Sequence, residues 1–133
     1  MKKSLYFIFV LLIGLETDAQ ISDNEKILRD YFEVYNQHDI EQVLELVSNE
    51  VRIYSVSSDT VTVDIDGKEK LRNWLSDYFR DLPNVTSEIS QLNVVGGRIS
   101  FKETAYWGKS GEQSSLAVYE MKDGRINRVW YYY

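Results

Sequence analysis

Residues 31–51 read YFEVYNQHDIEQVLELVSNEV, and how this stretch divides decides the fold. The polar run Asn36-Gln37-His38-Asp39 interrupts two apolar patterns of helical period. Upstream, Ile27, Leu28, Tyr31, Phe32, Val34 and Tyr35 follow the i, i+3/i+4, i+7/i+8 stripe of an amphipathic helix. Ser22-Asp23-Asn24-Glu25 is a capping-box pattern, so the spacing predicts a first helix from there to about Gln37. Downstream, Asp39 and Gln42 repeat the capping logic as D-x-x-Q. A short second helix follows, with Ile40, Val43, Leu44 and Val47 on its buried side. A strand is expected to open at Val51.

Beyond this stretch the period changes. Val51–Val56 and Val61–Ile65 read as strands, the second alternating with Thr62 and Asp64. Asp66-Gly67 turns the chain into a third helix from Lys68 to Leu82. Leu71, Trp74, Leu75, Tyr78, Phe79 and Leu82 form its stripe, and the single proline, Pro83, stops it. Four strands are then expected as an antiparallel meander: Val85–Val95, Arg98–Trp107, Gln113–Met121 and Arg125–Tyr133. Gly96-Gly97 and Asp123-Gly124 are the hairpin turns, and a loop covers Gly108–Glu112. Helices segregated from strands define an α+β domain, with helices packed on one face of a curved sheet.

The chain has 133 residues, enough for one core. Ten Tyr, five Phe and three Trp mark a chain that fills a large core, a cavity or an interface with rings. The net charge is −6 with no basic stripe, which argues against nucleic acid and anionic membrane surfaces. At the start, Lys2 and Lys3 precede an apolar run from Leu5 to Leu15 and a small-residue exit at Thr17-Asp18-Ala19. Residues 1–19 therefore read as a secretory signal peptide, with an uncut anchor as the alternative. Residues 20–133 read as the exported domain, periplasmic or extracellular. The chain has no Cys, so neither a disulfide nor a lipoprotein attachment site is available.

The element order, with the runs YFEVYNQHDIEQVLELVSNEV and LAVYEMKDGRINRVWYYY, resembles the nuclear transport factor 2-like superfamily in its SnoaL-like and ketosteroid-isomerase-like branch. The resemblance implies three N-terminal helices packed on a strongly curved, mainly antiparallel sheet. This is a cone-shaped, cystatin-like α+β barrel whose open end is a pocket. Such folds host isomerases, dehydratases, cyclases and non-catalytic modules, so the fold alone does not assign a reaction. Residue by residue, the resemblance places Tyr31 where a ketosteroid isomerase holds its substrate oxygen. The two acidic positions of that mechanism fall on Ser55 and Ala117. Ser55 cannot abstract a carbon-bound proton unaided and Ala117 has no hydrogen to donate, so steroid isomerisation by that route is rejected.

The stretch RISFKETAYWG, residues 98–108, carries the sharpest candidate. Read with period two, Glu103 shares a face with Ile99, Phe101, Ala105 and Trp107. A carboxylate on an apolar face must pair or stay protonated, and a raised pKa suits acid/base work near neutral pH. The plainer possibility is a structural network with an Arg or with Tyr hydroxyls. Glu103 and Tyr31 are the candidate catalytic pair. Tyr35, Trp74, Phe101, Tyr131 and Tyr133 are the expected ligand-pocket wall around a small, mostly apolar molecule. The rival expectation is a dimerisation or accessory domain whose cavity is filled by its own rings. The resemblance also implies a homodimer through the outer sheet face at Trp130 and Tyr132. His38 reads as a solvated turn residue. One His and no Cys give no transition-metal set, Asp64 and Asp66 do not complete a calcium loop, and no cofactor motif is present.

Overall fold

The structure is a computed structural model that describes residues 23–133. The expected signal peptide and the Ser22 cap lie outside the described residues. Helix α1 covers residues 23–36 and turns Leu28, Tyr31, Phe32 and Tyr35 inward. Helix α2 (Ile40–Glu45) is capped as its sequence predicts: the Gln42 backbone N–H donates to Asp39 Oδ1 at 3.2 Å. Val47 does not extend α2. The helix closes at Leu46, and Val47 opens strand β1 (Val47–Ser57) beside Ile126. The Ile126 N–H takes the Leu46 carbonyl at 2.9 Å, so this end of the helix is satisfied by the sheet.

Strand β2 (Thr60–Asp66) folds back on β1, and helix α3 (Lys68–Asp81) follows. Gly67 makes the corner at φ 100°, a conformation open to glycine, and its N–H donates to Val51 O at 2.8 Å. Strands β3 (Thr86–Val95), β4 (Arg98–Tyr106), β5 (Glu112–Lys122) and β6 (Arg125–Tyr132) form the expected meander. A single 3₁₀ turn, Gly108–Ser110, lies between β4 and β5. Asp123 and Gly124, both at positive φ, make the last hairpin turn.

The meander is not a separate four-stranded sheet. All six strands form one sheet in the order β2-β1-β6-β5-β4-β3, and β1 joins β6 in parallel. Alternation tells which face a residue takes but not which strand it pairs with, so this junction was not legible from period alone. Register breaks at Ile53/Tyr54, Ser90/Asn93 and Glu120/Met121 bend the sheet around the helices.

The cone fills in layers read across the sheet. Ile99, Tyr119 and Val129 form one row, all buried, under Leu28 and Phe32 of α1. Phe101, Ala117 and Tyr131 form the next, and Glu103 and Ser115 the one after. Ala117 is fully buried between its strand partners Phe101 and Tyr131. The turn after α1 is a clamp rather than a solvated link. His38 Nε2 lies 2.7 Å from the Val85 carbonyl and its ring stacks on Phe79 at 4.0 Å. A carbonyl partner requires that Nε2 carry the hydrogen. Loop position suggested solvent for His38; packing against α3 and the start of β3 overrode it.

Candidate functional site

A cavity of about 310 Å³ opens between α1, α3 and the concave face of the sheet. Its wall includes Tyr31, Tyr35, Trp74, Glu103, Tyr131 and Tyr133, which the sequence reading grouped together. Trp74 and Tyr133 are 44% and 73% exposed and stand at the mouth. Trp74 stacks on Tyr78 at 4.6 Å, and the Trp107 indole N–H donates to the Tyr78 hydroxyl at 3.2 Å. These contacts hold Trp74 and Trp107 to Tyr78 of α3, while Tyr133 stacks on Tyr131 at 6.4 Å.

Phe101 is corrected by the structure. It is 1% exposed and packs against Phe32 at 5.7 Å and Tyr119 at 5.0 Å, beneath the cavity rather than on its wall. It faces the predicted side, but its ring is taken up by Phe32 and Tyr119.

Glu103 is 8% exposed on the cavity wall. It pairs across the sheet with Ser115 of β5 and Ile89 of β3. Ser87 Oγ donates to its Oε1 at 2.9 Å, and Oε2 is buried with no hydrogen-bond partner. No Arg or Lys reaches it among the described residues. Burial pushes its carboxyl above the usual carboxylate range, against a smaller opposing pull from Ser87 and then from the nearby Tyr131 hydroxyl. The Tyr131 and Tyr119 hydroxyls bond each other at 2.7 Å, and Oε2 itself makes no hydrogen bond. Burial, with the carboxyl of Glu103 second or later, raises the phenols of Tyr31, Tyr35, Tyr119 and Tyr131, so they stay neutral hydrogen-bonding groups.

Ser87 is placed by α1. The Asn36 amide donates to Ser87 O at 2.9 Å and accepts from Ser87 N at 2.8 Å, copying a strand's pair of ladder bonds. The helix end thus fixes the residue that fixes Glu103. A local pattern could not reveal this, since Asn36 and Ser87 are 51 positions apart.

Asp64 is the second carboxylate on the wall. Regular alternation back from the buried Ile65 would turn Asp64 outward. The irregularity between Ile53 and Tyr54, which pair with Ile65 and Val63, leaves Asp64 as the extra residue and brings it to the cavity beside Ile65. Its carboxylate accepts a hydrogen bond from Ser55, the position where the isomerase comparison expects an acid. The only sequence signal was the acid within the alternating run TVTVDID, and period two hid it. Among the described residues, no group of three or more His or acidic side chains is gathered to hold a metal ion.

The architecture and this cone define a class of cone-shaped α+β pocket proteins. Residues 28–129 match the SnoaL-like domain, and the chain belongs to that family. Among curated proteins none matches the sequence. The fold is shared with a cystatin-fold protein of Novosphingobium aromaticivorans, at 21% identity and TM-score 0.71, over 81% of this chain and 96% of that one. It is also shared with a candidate ketosteroid isomerase of Kribbella flavida, at 17% identity and TM-score 0.70, over 85% and 78%. A candidate polyketide cyclase of Sinorhizobium meliloti gives 15% identity and TM-score 0.65, over 80% and 93%. At these identities the likeness is one of fold.

Proposed function

We propose that this chain binds a small, mostly apolar molecule in the cone and serves proton transfer on it, with Glu103 as acid/base and Tyr31 as hydrogen-bond donor. The observation that carries this reading is Glu103 Oε2: buried, partnerless, and on the wall of an open cavity. A self-filled accessory domain would instead close the cone with its rings and pair Glu103 with an Arg. Structural relatives described as a candidate isomerase and a candidate cyclase are consistent with chemistry in such a pocket. The mechanism differs from that of a steroid isomerase, because Ala117 is buried between Phe101 and Tyr131 and offers no proton. The test is a thermal-shift screen of small hydrophobic compounds on wild type and Glu103→Gln. Hits are expected to raise the wild-type Tm by several degrees, as mass action requires of any ligand of the folded state, and to lose most of that shift in the variant. Identical shifts in both proteins would remove Glu103 from the binding account.

Export and self-association complete the proposal. Export rests on the sequence of residues 1–19 alone. For association, the outer sheet face carries Tyr54, Trp130, Tyr132, Leu116 and Val63, with Tyr54 and Trp130 stacked at 5.5 Å. Leu116 is 52% exposed and Val63 49%, large apolar side chains clustered on one surface. We propose a homodimer through this face, centred on Trp130 and Tyr132. Sedimentation at micromolar concentration is expected to show a dimer that Trp130→Glu dissociates; a wild-type monomer contradicts it.

A further inference from the structure

Resting on the reading of the cone as a ligand site, we propose that its ligand carries a protonated amine on an apolar or aromatic body. The ammonium N–H groups are directed to Glu103 and the body fills the ring-lined space. Three features of the wall point to this chemistry. Nine of its seventeen residues are Tyr, Trp or Phe, whose ring faces attract a cation, above all where water is excluded. Its charged members are Glu103 and Asp64, and no Lys, Arg or His stands on it among the described residues. Glu103 Oε2 makes no hydrogen bond to the described residues. An ammonium group brings the missing donor and the opposite charge together. An anionic ligand would meet two carboxylates with no cation to offset them. The chain's net charge of −6 favours the approach of cations as well.

A neutral carbonyl compound is the competing occupant, and pH separates the two. An amine salt bridge needs Glu103 ionised, so amine binding strengthens as pH rises. A carbonyl oxygen needs the carboxyl's proton, so its binding weakens. The groups facing Glu103 are Tyr31 and Tyr35 of α1, Ser87 of β3, Ser115 and Tyr119 of β5, and Tyr131 and Tyr133 of β6. Their phenols are all raised, so Glu103 is the group among them that first loses its proton as pH rises. Asp64, more exposed and held by Ser55, is the other acid on the wall.

The experiment titrates the full chain by calorimetry with phenethylamine, its neutral analogue benzylacetone and its anionic analogue hydrocinnamate. The range is about pH 5 to pH 8, throughout which a primary ammonium stays charged. Phenethylamine is expected to bind at least about tenfold tighter than benzylacetone, to tighten as pH rises, and to lose that advantage in Glu103→Gln. Asp64→Asn should weaken it several-fold, and hydrocinnamate should not bind. Benzylacetone binding as tightly, or phenethylamine weakening as pH rises, overturns the inference and leaves the cone standing as a ligand site. If none of the three binds and the fluorescence of Trp74 and Trp107 is unmoved, the inference and the proposed function fall together.

Discussion

Glu103→Gln stabilises the fold, and the gain grows with pH. The folded carboxyl is raised above its ordinary value of about 4.5 because burial disfavours its charge. The folded state therefore holds this proton to higher pH than the unfolded chain does. The stability tied to that proton is fully present below the unfolded value and is lost as pH rises through the folded one. Gln keeps the shape, can still accept from Ser87 Oγ, and carries no charge. Wild type and variant should unfold alike near pH 4. By pH 8 the variant should be ahead by roughly 1–3 kcal/mol, the scale of an unsatisfied buried group, which is several degrees of Tm in a domain of this size. Thermal unfolding of both proteins across that range checks it. A gap that is constant with pH, or a variant less stable at pH 8, contradicts the account. A residue whose removal stabilises the fold and weakens ligand binding is kept for its chemistry rather than for its packing.

Phe101→Ala is the most damaging single truncation expected around the site. The ring is buried against Phe32 and Tyr119, so its loss leaves a cavity under the cone floor and costs about 3–5 kcal/mol. Set against a total stability of about 5–15 kcal/mol, that puts folding itself at stake near body temperature. Tyr133→Ala, at the mouth, should change stability by no more than about 0.5 kcal/mol. Chemical denaturation of the two variants makes the comparison. Near-equal losses would return Phe101 to the cavity wall and remove the distinction between floor and mouth.

Period and capping carried most of the fold. The stripe at Leu28, Tyr31, Phe32 and Tyr35, the Asp39 cap, the Gly67 corner and the Asp123-Gly124 hairpin are local signals, and each formed where its residues predict. The face of Glu103 was also legible, because β4 alternates without interruption from Ile99 to Ala105. Pairing across the chain was not. The parallel junction of β1 with β6 left no mark in either strand's own pattern. The Asn36 grip on Ser87 joins residues 51 positions apart. Asp64 was hidden by a bulge, which reverses the face that alternation assigns. Phe101 shares its row with Tyr131 of the wall yet is buried against Phe32 and Tyr119, because period two gives a side but not what packs over it.

Glu103 is a buried carboxyl on the cavity wall whose Oε2 has no hydrogen-bond partner, and the proposed ligand role turns on it. Carbon-13 NMR of its side-chain carboxyl, assigned through Glu103→Gln, reads this directly. Its titration is expected above that of an ordinary Glu side chain, about 4.3. A displaced titration is expected when a binding compound is added. A Glu103 signal that titrates as an ordinary Glu side chain and does not move on ligand addition would overturn this role for Glu103.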